Sequence, residues 1–238
     1  MERYPDIVEV LDTVSSGIDE ISKAYDFARQ DEEIHSILRT KVGHCFEDLR
    51  RCLEYSAQDI WASYSKKKNK VYFPYGKTDE IFQKSVKKNL PALREQAPNL
   101  YALIESIQPF ISGSDWLLEL CGHTNFNKHD RLSPQVRRNS PSSSTTFGNI
   151  AKVESGGTII LDGANWGGVP MSKNGKLTIS RDRTVAEMRA EISIPVPLVR
   201  EFDWVKFEID GSLHDILDLI KNSHARISSY ISQLNEMI

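Results

Sequence analysis

The last stretch of the chain, residues 213–238, reads LHDILDLIKNSHARISSYISQLNEMI. Leu213, Leu217, Ile220, His224, Ile227, Ile231, Leu234 and Ile238 recur at alternating steps of four and three. That spacing is the seam of a helix laying one apolar stripe on other helices. Such a stripe needs partners, and the opposite end of the chain offers two. Ile7, Leu11, Val14, Ile18, Ile21, Tyr25 and Ala28 form one seam, ended by Asp31-Glu32-Glu33. Leu38, Val42, Cys45, Leu49, Cys52 and Ser56 form another, widened by Phe46, Leu53 and Ile60 and running to about Ser63. The first two read as an antiparallel helical hairpin. The third is expected to close a common bundle with them.

Between the seams the pattern changes twice. Pro74 and Gly76 break the helical periodicity, and shorter helices are expected near 78–88, 91–96, 98–107 and 114–131, the last capped by Ser114 and Asp115. Residues 133–149, with Ser133-Pro134 and Asn139-Ser140-Pro141-Ser142-Ser143-Ser144, read as a flexible loop. Short β-like runs follow at 150–153, 158–161, 176–180, 191–194 and 204–209, punctuated by Gly156-Gly157, Gly167-Gly168 and the hairpin dipeptide Asn174-Gly175. The expected fold class is α+β: an antiparallel helical bundle (1–132), a loop (133–149), an inserted antiparallel β-meander (150–210) and a C-terminal helix (211–238) returning to the bundle, all as one composite domain.

Composition narrows the function classes. With 238 residues, 39% hydrophobic and 26% charged, the chain can bury a core without staples. It has no run of ~18 apolar residues and no basic, then apolar, leader, so no membrane partner is expected. Three cysteines, Cys45, Cys52 and Cys121, argue against a disulfide framework and for a cytoplasmic setting. The net charge of -3 excludes a uniformly basic nucleic-acid binder, yet it is unevenly distributed. Residues 1–65 carry -7, residues 66–140 carry +6, and residues 141–238 carry -2. The basic island includes Lys66, Lys67, Lys68 and Lys70, then Lys84, Lys87 and Lys88, then Lys128, Arg131, Arg137 and Arg138. It suits RNA phosphate, or equally the acidic N-terminal third within the molecule or across a dimer.

Asp48-Leu-Arg-Arg-Cys-Leu-Glu-Tyr55, Tyr72-Phe73-Pro74, Gln108-Pro109-Phe110 and Asn125-Phe-Asn-Lys-His-Asp-Arg131 follow one another in order. In these motifs, spread over residues 38–132, the chain resembles a group of uncharacterised bacterial and phage-associated HEPN-like proteins. The resemblance implies a HEPN-like bundle. It also implies an RNA-binding component, or a metal-independent endoribonuclease, of a bacterial defence or toxin-like system, with no cofactor. Ribonuclease members of that superfamily place Arg, then four to six residues, then His, a spacing met at Arg29–His35 and Arg39–His44.

His129 between Lys128 and Arg131 is the densest polar cluster. A histidine near neutral pKa can move a proton in phosphodiester cleavage while the cations hold phosphate charge. The same residues equally suit a helix end, with Asn125 and Asn127 bonding backbone and the cations complementing the dipole. Arg39 and His44 lie about 140° apart by helical rotation, so they meet only in a site shared across a symmetric dimer, or else are surface residues. The candidate catalytic residues are therefore His129, Arg131, Arg39 and His44, and the candidate RNA contacts Lys66, Lys67, Lys68, Lys70, Lys128, Arg137 and Arg138. No metal is expected, since Cys121, His123 and His129 make only three ligands with no CxxC pair. His224 reads as a bonded core histidine, and Trp116, Trp166 and Trp204 as packing residues. The alternative function is a non-catalytic oligomerisation or protein-interaction module, for which a homodimer is the simplest partner.

Overall fold

The computed structural model describes every residue except 68, 130, 155, 210, 211 and 213, and the side chains of all the rest except Lys128 and His129. It is a mixed α+β protein. The chain divides into two compact units. One comprises Met1–Ser22, Leu38–Gln135 and Glu208–Ile238, and the other Lys23–Ile37 and Val136–Phe207.

The first unit is helical. Its elements are the first turns of α1 (Tyr4–Gln30), α2 (Arg39–Tyr64), α3 (Asp79–Asn89), α4 (Leu93–Gln96), α5 (Pro98–Ser106), α6 (Pro109–Ser112) and α7 (Trp116–His129), with the last helix after the β-strands. That last helix, Ile216–Met237, packs on α2, α5 and α7. Its seam residues Ile220, Ile227, Ile231 and Leu234 are buried, as are Ile7, Leu11, Val14, Cys45, Leu49 and Cys52 of the front seams. Burying each large aliphatic side chain stabilises by about 1.5–3 kcal/mol, so interlocked seams dominate this core. Tyr230 fills the contact: its Oη lies 3.2 Å from Ser56 Oγ, and its ring meets Phe73 edge-on at 5.9 Å. The two ends of the chain meet where the Met1 ammonium donates to the Ile238 carbonyl at 2.9 Å. His224 Nε2 lies 3.1 Å from the Leu11 carbonyl oxygen, a bonded position on the seam. Leu38 departs from its expected seam role. It precedes α2 in a left-handed conformation (φ 31°) and is 45% exposed, so the buried stripe starts at Val42.

The second unit is β-rich and begins earlier than the sequence suggests. Residues 133–149, expected as a loop, contain β1 (Gln135–Asn139) and β2 (Ser143–Phe147). Then come β3 (Ala151–Glu154), β4 (Thr158–Asp162), β5 (Asn165–Trp166), β6 (Val169–Pro170), β7 (Lys176–Ser180), α8 (Val185–Glu191), β8 (Leu198–Phe202) and β9 (Val205–Ile209), and the final helix becomes α9. The strands form small antiparallel sheets, β3-β2-β8, β4-β7, β5-β6 and β1-β9, rather than one meander. β2 is the central strand of its sheet, pairing Ser144 with Glu154 on one side and with Glu201 on the other. Its alternation buries Ser143, Thr145 and Phe147. A Ser/Thr strand is invisible to a hydrophobic pattern, and burial is possible here because Arg200 Nε donates to Thr145 Oγ1 at 3.1 Å. Around Phe147 the core gathers Leu177, Ile179, Met188 and Leu198.

Two further expectations are corrected. The run 191–194 is not a strand: Glu191 ends α8 and Ile192 makes a single isolated bridge with Ser172, and the capping box of α8 pairs the Thr184 hydroxyl with Glu187 N and the Glu187 carboxylate with Thr184 N. Trp166 and Trp204 are 52% and 42% exposed rather than packed inside, whereas Trp116 is buried.

Candidate nucleic-acid interface

α3 starts at the Thr78 cap, whose hydroxyl accepts from Ile81 N, and buries Phe82 and Val86. The opposite face therefore presents Lys84, Lys87 and Lys88 to solvent. After α3 the chain turns sharply through Ala92 in a left-handed conformation (φ 63°) and enters α4 and α5, with Pro98 opening the latter. The turn leaves a cavity of about 720 Å³ between α3, the Pro91–Glu95 segment and Tyr101. Lys84, Lys87 and Arg94 face it, against Glu80 and Glu95. Arg94 stacks its guanidinium 5.2 Å above the Tyr101 ring. The Tyr101 hydroxyl is buried without a well-aligned hydrogen bond, with Glu105 the neighbouring acceptor, and burial pushes its pKa up to about 12.

The end of α2 adjoins this cavity. Tyr64 Oη donates to the Pro91 carbonyl at 3.3 Å, and burial raises its pKa. Trp61 packs edge-on against Tyr64 at 5.3 Å, and its Nε1 donates to the Lys67 carbonyl at 2.7 Å, fixing the start of the lysine run. Lys66, Lys67 and Lys70 are exposed, and Lys70 lies over the ring of Tyr72, itself 46% exposed. Lys68 lies outside the described residues. Lysines interleaved with aromatic rings can hold phosphate charge and stack bases.

The other predicted residues are placed differently. The side chains of Lys128 and His129 lie outside the described part of the structure. Arg131 lines a smaller cavity of about 260 Å³ with His123, Phe126, Ser133, Pro134 and Ile209. Asn127 Oδ1 accepts from Ser133 N at 3.0 Å and Ser133 Oγ at 2.8 Å, folding the chain back after α7. Arg39 grips the same turn, donating to the carbonyls of Leu132 and Ser133. His44 faces a separate cavity of about 350 Å³ with Lys41, Asp48 and Arg51, so the structure does not bring Arg39 and His44 to one place within the chain. Arg137 is fully engaged in the β-rich unit. It donates to the carbonyls of Ala28, Asp31 and Ile34 at 2.6–2.8 Å and lies over the Phe202 ring. Arg138 is exposed. Cys121 is buried against Arg50, and burial pushes its thiol up to about 11.

Sequence reasoning saw Lys84 and Lys87 as part of the basic island but did not place them in the site, and it missed Arg94 and Tyr101. The i, i+3 lysine spacing was legible. The pairing with Tyr101 depends on the Ala92 turn, which no glycine announces. Among the described residues, no helix is long and apolar enough to cross a membrane. No family model, curated protein or solved structure matches the chain.

Proposed function

We propose that this protein binds single-stranded RNA on the basic, aromatic-lined face of its helical unit, as a HEPN-like component of a bacterial defence or toxin-like system. The observation that carries the reading is the 720 Å³ cavity in which Lys84, Lys87 and Arg94 converge beside Tyr101, adjoined through Tyr64 and Pro91 to the lysine run at 66–70. Cations alone fit any polyanion. Tyr72, exposed beside Lys70, offers a ring on which a base can stack, which favours a single strand, and the HEPN-like resemblance favours RNA.

Fluorescence anisotropy with a labelled single-stranded RNA tests it. Three phosphate contacts give a log–log salt slope of about -2, or roughly a twentyfold loss of affinity between roughly 50 and 200 mM salt. Lys84→Glu with Lys87→Glu should remove most binding and flatten that slope. A salt-independent affinity, or one unchanged in this variant, would overturn the reading.

Cleavage is the second reading, favoured by the cavity where Arg131 and His123 face the same space. Arg131 would hold phosphate charge while a histidine at the end of α7 moves the proton. Incubating RNA with wild type, Arg131→Ala, His129→Ala and His44→Ala in the presence of EDTA decides it. Chelator-resistant cleavage lost with Arg131→Ala supports the reading, and intact RNA in every sample removes it.

A further inference from the structure

α7 carries a second constellation that the RNA reading does not use. Asp115 directly precedes the helix and its carbonyl accepts from Leu118 N and Glu119 N, so its side chain is set at the first turn. Asp115, Glu119 and His123 recur every four residues, which stacks them on one helix face. A residue distant in sequence joins them. The Asp215 carboxylate caps α9 by accepting from Leu217 N and Asp218 N, and the preceding His214 is held by its backbone N–H donating to Ser212 Oγ. His214 Nε2 thereby comes to 3.0 Å from Asp115 Oδ1. One ligand atom from each of Asp115, Glu119 and His214 lies within 4.8 Å of the others. Behind them, His123 Nε2 is buried and 3.3 Å from Glu119 Oε2, yet not aligned for a hydrogen bond.

Two carboxylates one helical turn apart repel each other. Their ion-pair partners among the described residues are histidines, not lysine or arginine. Histidine holds a positive charge poorly at neutral pH, but neutral imidazole with carboxylates is a donor set for a borderline transition-metal ion. Metal–ligand bonds of about 2.0–2.1 Å place neighbouring tetrahedral ligand atoms about 3.3 Å apart, close to the His214–Asp115 separation.

We propose that Asp115, Glu119 and His214 bind one divalent transition-metal cation of the zinc class, with His123 as the positioning residue behind Glu119. Three protein ligands leave a coordination place for water or a ligand oxygen, as in catalytic rather than structural sites. His123 also lines the cavity shared with Arg131. The site stands on α7 and the start of α9 and does not depend on RNA binding.

Calorimetric titration of the metal-stripped full chain with Zn²⁺ tests it, with Mg²⁺ as the hard-ion control. The expected result is one Zn²⁺ bound per chain, with Mg²⁺ at least tenfold weaker. Glu119→Gln and His214→Ala should each weaken Zn²⁺ at least tenfold, and His123→Ala should weaken it while keeping one equivalent. Circular dichroism of each variant confirms folding, and Zn²⁺ should raise the melting temperature of wild type but not of His214→Ala. Absence of stoichiometric uptake overturns the proposal, as does uptake indifferent to both ligand variants. Uptake lost with Cys121→Ser but not with His214→Ala places the metal elsewhere and overturns it as well.

Discussion

The lysine-rich face of the helical unit and the arginines of the β-rich unit use positive charge in opposite ways. In the helical unit Lys66, Lys67, Lys70, Lys84, Lys87 and Arg94 are exposed, and three of them converge on one cavity. In the β-rich unit the prominent arginines hold the fold together. Arg200 is 6% exposed and donates to Thr145 Oγ1, to the carbonyls of Ser180 and Arg183, and to the Glu32 carboxylate. Arg137 closes the segment after α1 through three carbonyls, and Arg183 forms a two-point pair with Glu191. A small β unit whose central strand is built of serine and threonine has little apolar surface there to bury, and guanidinium groups satisfying inward-facing oxygens take the place of side-chain packing. Charge density along the sequence therefore does not identify a binding surface. What distinguishes Lys84 and Lys87 from Arg200, Arg137 and Arg183 is that the arginines are already bonded to carbonyls and carboxylates, as Arg39 and Arg50 are within the helical unit.

The sharpest way to break this contrast is Arg200→Met. It leaves Glu32 and two carbonyls without their donor, and the β-rich unit should lose about 3–5 kcal/mol. Urea unfolding monitored by amide exchange in β2 and β7 would show it, and a loss below about 1 kcal/mol would contradict the structural role assigned here. Arg137→Ala should cost about 2 kcal/mol in the same measurement, since Ala28 is buried but Asp31 is exposed and Ile34 partly so, and water replaces part of the bonding. In the helical unit the interior tolerates polar loss better. Tyr230→Phe should cost only about 1 kcal/mol, because Ser56 Oγ keeps its 2.7 Å bond to the Leu53 carbonyl.

Smaller still is the effect of Lys84→Glu with Lys87→Glu on stability, within about 0.5 kcal/mol by urea midpoint, although the same pair is expected to remove most RNA binding. The smallest effect is a pH dependence. Hydrogen bonding from Arg183 holds the Glu191 carboxyl below its ordinary value of 4.5. A depressed carboxylate contributes stability above its unfolded value and loses it as pH falls through the folded one. Between about pH 5 and pH 3 the wild-type urea midpoint should therefore fall slightly more than that of Glu191→Gln.

Particular residues show why some of this was legible and some was not. The seams were legible because each step of four or three maps directly onto one helix face, and Leu11, Leu49, Ile227 and Leu234 are buried as that mapping requires. β2 was hidden because Ser143, Ser144 and Thr145 carry no apolar alternation, and the burial of Thr145 depends on an arginine distant in sequence. The capping box at Thr184 and Glu187 was present in the chain but passed over beside the apparent strand signal of 191–194. In the candidate interface, Lys84 and Lys87 were visible as charge. Tyr101 and Arg94 were not visible as their neighbours, because the turn at Ala92 uses a left-handed conformation that an alanine does not advertise.

By itself the sequence determined the mixed α+β class, three long amphipathic helices and the basic middle third, since periodicity and charge are local properties read along one chain. Tertiary structure decided which cations are bonded into the fold, which serine-rich strand enters a sheet, and that His214 stands beside Asp115. Those outcomes depend on pairs of groups brought together from distant segments, where a few ångströms separate a satisfied donor from an available one.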